Sequence, residues 1–134
     1  MTEAPEALDR LSIPAARAAV VEGRTSAVEL AEAHFERIAA KDGELGCYLA
    51  LSRARALAQA ERVDADVRAG KPLGPLAGVP VGIKDVLATK GVETTSGSKI
   101  LAGWHPPYDA TSVAKLEAAG AVVLGKLNLS LIHI

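Results

Sequence analysis

The sequence contains few aromatic residues and a single cysteine. Aromatic side chains make up 3% of the 134 residues, so a buried core must be built from Ala, Val, Leu and Ile, which an apolar content of 49% can supply. Cys47 cannot form an internal disulfide, which is typical of a reducing compartment. Because Cys47 lies in an apolar stretch, we expect it to be a small core residue.

The sequence also lacks a long apolar segment and an excess of charge of one sign. No apolar run reaches the roughly 18 residues needed to span a membrane. Residues 1–10 contain three acidic side chains and lack the basic and apolar parts of a secretory signal. A formal net charge of −1 argues against a surface that binds nucleic acid by itself. These features predict a soluble cytoplasmic protein.

The composition changes near Gly70 and divides the chain into two regions. Region 1–70 is rich in Ala with Glu and Arg, which is typical of helices, whereas region 71–134 is richer in Gly, Pro, Val and Thr. We therefore predict an N-terminal helical segment followed by the start of a domain that contains a sheet.

Three helices are predicted in the first region from their capping residues. Ser12 can cap the first helix. Ser26 and Glu29 have the spacing of a capping box at the start of the second. Ser52 can cap the third. The apolar stretch 45–51 before it is interpreted as a strand or a buried connection.

A strand, a helix and a second strand are predicted in the second region. Residues 79–83 and 121–124 form the two strands, and Asp109 caps the helix between them. Such a unit is parallel and right-handed. Two parallel strands do not make a stable sheet, and strand 121–124 would have an unpaired edge. We therefore expect the isolated chain to be poorly folded, which a cooperative thermal transition would contradict.

Lys84 is the first candidate for chemistry because it follows the first buried strand directly. Partial desolvation there would lower the pKa of the ammonium group and allow lysine to act as a general base. The alternative is a lysine whose charged end reaches solvent at the strand end. Lys99 and Lys126 are predicted to be solvated.

The second candidate is the loop 94–98. Thr95, Ser96, Gly97 and Ser98 could expose backbone N–H groups and line a polar substrate pocket, or they could form an ordinary turn-rich loop. No Gly-Lys-Ser/Thr sequence closes the loop, so it is not a phosphate loop. The three histidines lack the spacing of metal ligands: His34, His105 and His133.

Several blocks between residues 74 and 128 resemble a known family. They read Gly-Pro-Leu-Ala-Gly-Val-Pro-Val-Gly-Ile-Lys-Asp (74–85), Thr-Lys-Gly (89–91), Thr-Thr-Ser-Gly-Ser-Lys-Ile-Leu (94–101), Pro-Tyr-Asp-Ala-Thr (107–111) and Ala-Gly-Ala-Val-Val-Leu-Gly-Lys-Leu-Asn (119–128). Their order and spacing resemble the start of the catalytic domain of amidase-signature enzymes. Within that family they are most similar to the A subunits of the amidotransferases that act on glutamyl-tRNA(Gln) or aspartyl-tRNA(Asn).

The resemblance implies an α/β fold in which N-terminal helices precede the first strands of a mixed sheet flanked by helices. It also implies amide cleavage by a Ser–cis-Ser–Lys triad. Lys84 matches the family lysine, which would draw a proton from the nucleophilic serine through the bridging serine. The nucleophile would attack the side-chain amide of glutamine and form an acyl-enzyme. Thr95, Ser96, Gly97 and Ser98 would at most line the pocket.

The same resemblance implies partners but no cofactor or metal in this chain. Ammonia would pass to a B subunit, where ATP and Mg²⁺ activate the misacylated Glu- or Asp-tRNA, and a small C subunit would hold the pair together. Two alternatives stay open. One is a stand-alone amidase that acts on small amides, and the other is a non-catalytic helical interaction module.

The match to the family weakens after Asn128. Residues 129–134 read Leu-Ser-Leu-Ile-His-Ile, and neither family serine has a counterpart in the chain. We therefore expect the chain to be truncated, with its last five or six residues foreign to the gene, and to be inactive alone.

Overall fold

The computed structural model describes residues 7–129, which form four α-helices and a three-stranded sheet. In chain order the elements are α1 (Ile13–Val21), α2 (Ala27–Leu45), β1 (Tyr48–Leu51), α3 (Arg53–Arg68), β2 (Pro80–Lys84), α4 (Thr111–Ala118) and β3 (Val122–Leu127). Short 3-10 helices lie at Leu8–Arg10 and Lys99–Leu101. Residues 130–134, which hold most of the segment predicted to be foreign, lie outside the described part. None of the helices described is both long and apolar enough to cross a bilayer.

The sheet is mixed, and β3 is its central strand. The strand order is β1-β3-β2, with β2 parallel and β1 antiparallel to β3. The α/β class with a mixed sheet is therefore confirmed. Stretch 45–51 supplies a third strand, β1, which pairs with residues 125–127 of β3, whereas the edge predicted to be unpaired at 121–124 has no strand of the described chain beside it apart from the bond from the N–H of Ser52 to the carbonyl of Leu124. Three strands covered by helices satisfy the usual requirement for independent stability, so poor folding of the isolated chain stays a prediction that now has less physical support.

Two apolar clusters lie on the sheet. The larger one joins α1, α2 and α3 to β3 and contains Ala16, Val20, Ala27, Leu30, Ala31, Phe35, Ala56, Ala60, Val122 and Leu124. The smaller one contains Ile83, Val113 and Val123 and covers the side of β2 and β3 that faces α4. Small alanine side chains let the helices approach closely, which compensates for the shortage of aromatic residues. Residues from both sides of the predicted boundary at Gly70 thus pack together in the larger cluster, and the division into two domains stays a prediction.

The first two helix caps are as predicted, and the third is not. Ser12 accepts from the N–H of Ala15, and Ser26 and Glu29 form the complete capping box. Ser52 precedes α3, but its hydroxyl donates to the carbonyl of Val123 at 2.8 Å instead of capping the helix. Cys47 is exposed, contrary to its predicted place in the core.

Asp109 is also not a helix cap. The N-cap of α4 is Ala110, which makes no side-chain capping bond. The Asp109 carboxylate instead accepts from Arg55 Nη2, at 3.0 Å for each oxygen, and from the N–H of Lys90 at 2.8 Å. The capping prediction failed because Arg55, which lies 54 positions earlier in the sequence, competes for the carboxylate.

Side chains of α3 satisfy the part of β3 that lies beyond the end of β1. β1 ends at Leu51, so Val123 has no strand beside it on that side. The N–H of Val123 donates to Gln59 Oε1 at 2.8 Å, and its carbonyl accepts from Ser52. A buried backbone group without such a partner would cost free energy. Ser52, just before α3, and Gln59 within it therefore fix the helix on the sheet.

A β-bulge changes the side of the sheet to which the side chains at the end of β3 point. Val81 pairs with Val123, but Gly82 pairs with Gly125, so Leu124 is an extra residue opposite β2. Beyond the bulge, Lys126 pairs with Ile83. A bulge of this kind shifts the alternation of side chains by one position.

Candidate functional site

Lys84 is the last residue of β2 and its side chain is exposed. It pairs with Leu127, whereas the preceding Ile83 is buried in the smaller apolar cluster. The expected partial burial of Lys84 is therefore not found within residues 7–129, because alternation along β2 turns the side chain away from that cluster. Its catalytic role stays a prediction.

Asp85 is buried and binds the loop that was predicted to line a pocket. Its Oδ2 accepts from the Thr95 hydroxyl at 2.6 Å, from the Thr95 N–H at 3.1 Å and from the Gly97 N–H at 3.4 Å. The Asp85 carbonyl accepts from the N–H of Ser96 at 3.0 Å. The N–H of Asp85 itself donates to the carbonyl of Leu127 and so continues the pairing between β2 and β3.

Three backbone N–H groups of the loop 94–98, those of Thr95, Ser96 and Gly97, donate to Asp85. Ser96 and Gly97 both have positive φ, at 52° and 68°, which produces the tight turn that collects these donors. Such a turn can surround an anion, and here the anion is a carboxylate of the same chain. The Ser98 hydroxyl accepts from the N–H of Ile100 and starts the following 3-10 helix.

Lys126 is completely buried, which corrects the prediction that it is solvated. Its Nζ donates to the carbonyl of Leu87 at 2.5 Å and to the Thr94 hydroxyl at 2.9 Å, and it lies 3.6 Å from Asp85 Oδ1. Two features of the sequence could have indicated this contact: a lysine inside an apolar strand, and an aspartate directly after the neighbouring parallel strand. Side chains in these two positions can meet. The β3 bulge, which places Lys126 opposite Ile83, carried no comparable signal.

The electrostatics of this buried pair are unusual for a lysine. Burial lowers the pKa of the Lys126 ammonium group, and the adjacent Asp85 carboxylate opposes that shift. Asp85 Oδ1 faces Lys126 as an ion contact and has no hydrogen-bond partner, although it is buried. Because one partner balances the other, removal of either would leave a buried group without its counterpart.

A cleft of about 270 Å³ opens beside this network. It is lined by Leu49, Ala50, Asp85, Glu93, Thr95, Gly97, Ser98, Lys99, Ala102 and Asn128. Three of the four residues proposed for a pocket thus line a cleft, whereas Ser96 does not. Two larger clefts, of about 430 and 450 Å³, have no lining residue in common with the 94–98 loop, and Lys84 lines none of the three clefts. That the loop touches a substrate stays a prediction.

No metal site is found in the described part of the chain. No group of three or more His, Cys, Asp or Glu side chains there could hold an ion, and His133 lies outside that part. Asp85, the buried acid nearest the cleft, is already bound by loop donors and by Lys126.

Comparison with known sequences shows strong similarity to one group of enzymes. The chain is 57% identical over 118 residues to the A subunit of the glutamyl-tRNA(Gln) amidotransferase of Koribacter versatilis, covering 88% of this chain and 25% of the relative. It is 54% identical over 123 residues to the protein of the same name from Salinispora arenicola, covering 90% and 25%. The chain therefore spans about a quarter of the length of these curated relatives.

Solved structures and a family model agree with this similarity. The native peptide amidase of Stenotrophomonas maltophilia superimposes with a TM-score of 0.84 at 36% identity, over 90% of this chain and 25% of that one. The Amidase family model matches residues 29–133. On the strength of this match and of the relatives above, the chain belongs to the amidase family.

Proposed function

We propose that this chain is part of the glutamine-hydrolysing A subunit of a tRNA-dependent amidotransferase. The observation that supports it most is the 57% identity to an A subunit, compared with 36% to the peptide amidase. The substrate of the proposed reaction is the side-chain amide of glutamine, and the physiological products are Gln-tRNA(Gln), Asn-tRNA(Asn) or both.

In this proposal Lys84 is the base of a Ser–cis-Ser–Lys triad. Its exposed position at the carboxyl end of β2 leaves the amine free to meet serines supplied by a part of the enzyme beyond this chain. Enclosure by that part would desolvate the amine and favour its neutral form. Neutral Lys84 would then accept the proton of the nucleophilic serine through the bridging serine, and the acyl-enzyme would form on the nucleophile.

The proposed partners follow from the same assignment. A B subunit would receive the ammonia and use ATP and Mg²⁺ to activate misacylated tRNA in the cytoplasm, and a C subunit would hold the complex together. The proposed amide hydrolysis requires no cofactor in this chain. The interaction-module alternative receives less support, because the apolar face of α2 is already occupied by the larger core cluster.

A stand-alone amidase is the second candidate, and the similarity to the peptide amidase favours it. The two candidates share Lys84 and the same chemistry, so they differ in what the activity depends on. An amidotransferase subunit requires its partners, ATP and tRNA for the overall reaction, whereas a stand-alone amidase hydrolyses small amides by itself.

A chimeric subunit tests the proposal. Residues 7–129 replace the corresponding quarter of the Koribacter versatilis relative, and the product, called the chimera below, is co-expressed with that organism's partner subunits. We expect ammonia release from glutamine and ATP-dependent conversion of Glu-tRNA(Gln), within about tenfold of the unmodified complex.

The unmodified complex and the chimera without partner subunits are the controls. Amide hydrolysis that is equally fast without partners would favour the stand-alone amidase. A soluble, assembled chimera that shows neither activity would refute the proposal.

A further inference from the structure

We infer that Asp85 and Lys126 are positioning residues: together they hold the 94–98 loop at the carboxyl ends of β2 and β3 and so set one wall of the cleft of about 270 Å³ that Asp85 and the loop line. The inference rests on the proposed function only in identifying that cleft as part of the amide-binding site. Neither residue is proposed to touch the reacting atoms.

The first half of this device is the Asp85 carboxylate. Asp85 is 1% exposed, and its Oδ2 accepts three hydrogen bonds from Thr95 and Gly97, two of the residues that line the cleft. Its backbone is meanwhile bonded to Leu127 of β3. The loop wall is therefore tied directly to the residue that follows Lys84.

The second half is the Lys126 ammonium group. Its Nζ joins three points that are distant from it in sequence: the Leu87 carbonyl just after β2, the Thr94 hydroxyl at the start of the loop, and Asp85. Lys126 thus ties the stretch from Asp85 to Thr94 to β3 at three points. A flexible segment fixed at only one end would keep much more conformational freedom.

The bulge in β3 determines the side of the sheet on which the Lys126 side chain lies. Simple alternation from Val123, which faces α4, would turn Lys126 towards the opposite side of the sheet. The extra residue Leu124 brings Lys126 into register with Ile83 on the side of the loop. Bulges frequently redirect a side chain next to a functional site.

The Asp85–Lys126 pair differs in its energetics from ordinary packing of apolar side chains in a core. A buried ion pair contributes little net stability compared with apolar residues of the same volume, but loss of one partner is strongly unfavourable. Here each partner binds polar atoms of the loop rather than the apolar clusters. Disruption should therefore release the loop first and leave α2, α3 and the rest of the sheet in place.

The test uses the chimera, assembled with its partner subunits, and the variants Asp85→Asn and Lys126→Met. We expect hydrogen exchange in a peptide covering residues 93–98 to accelerate at least about tenfold in each variant, with exchange in α3 unchanged. We also expect the KM for glutamine to rise about tenfold while kcat changes less than about threefold, because the wall binds substrate and Lys84 stays paired to β3.

Glu61→Gln in α3 and Lys115→Met in α4 are the matched controls, since both side chains are exposed. Unchanged exchange in the 93–98 peptide overturns the inference. So does acceleration that is equal in the loop and in α3, which would indicate a general loss of structure. A variant with a released loop and unaltered KM overturns the positioning role.

The exchange measurement does not depend on activity. If the unmodified chimera releases no ammonia, the proposed function fails, and loop exchange alone still decides whether the pair holds the loop.

Discussion

Replacing Lys84 by alanine in the chimera should lower kcat for glutamine hydrolysis by about 10³-fold or more. The chain supplies one member of the proposed triad, and that member carries the proton of the nucleophile. In the proposed triad the nucleophilic serine would then lose its base, whereas contacts that bind glutamine would persist. We therefore expect the loss in kcat, with KM changed much less.

Lys84→Arg separates the role of the base from that of a positive charge. A guanidinium group is always protonated in proteins, so arginine keeps the charge and cannot accept a proton. We expect Lys84→Arg to be as inactive as Lys84→Ala. Because the Lys84 side chain is exposed in the described chain, both variants should fold normally.

Steady-state ammonia release from the assembled complex measures both variants, and Lys115→Ala on the exposed face of α4 is the matched control. Activity within about threefold of the unmodified chimera for Lys84→Ala would remove Lys84 from the mechanism. Full activity of Lys84→Arg would mean that Lys84 acts only through its charge.

Local signals allowed much of the helical structure to be predicted. Capping at Ser12 and Ser26 depends on residues within one turn, and both caps are found where the sequence places them. The strand–helix–strand unit was also recognisable from apolar runs and glycines. Its two strands are parallel neighbours in the sheet, as predicted.

Features that depend on distant partners could not be predicted in this way. Ser52 and Asp109 have the residue type of a helix cap, but Val123 and Arg55 compete for their side chains from more than 50 positions away. No local pattern indicates which of two satisfactory partners a polar group will choose.

In the candidate site, too, local sequence indicated some residues, whereas others depend on distant partners. Lys84 and the loop were selected because of their residue types and their position after a strand. Asp85 and Lys126 hold that loop in place. No role was assigned to Asp85 from the sequence, and Lys126 was predicted to be solvated. Their importance depends on the β3 bulge, and the bulge depends on how β2 pairs with β3.

Gly125→Ala should be the most destabilising single substitution of a glycine in the sheet. Gly125 lies opposite Leu51 of β1, and a Cβ there would lie 2.3 Å from the carbonyl oxygen of Ala50 and 3.0 Å from Leu51 Cα. These are backbone atoms, so β1 must move away from β3. We expect a loss of about 3 kcal/mol or more in the free energy of unfolding.

The Gly125→Ala change should also affect the site, because Lys126 is the next residue. Separation of β1 from β3 would shift the bulge and the contacts of the Lys126 ammonium group with Thr94 and Asp85. Thermal unfolding of the chimera should show a melting temperature lowered by about 3 °C or more. Hydrogen exchange should accelerate in both β1 and the 93–98 loop.

Gly43→Ala provides the matched glycine control with the opposite expected sign. Gly43 lies inside α2, and a Cβ there would meet no atom within 4 Å. Alanine is the better helix former, so we expect stabilisation of about 0.5–1 kcal/mol. Equal destabilisation by both changes would mean that glycine flexibility, rather than the close approach of β1 to Gly125, determines stability. Tolerance of Gly125→Ala would contradict the close pairing of β1 with β3 on which the placement of Lys126 depends.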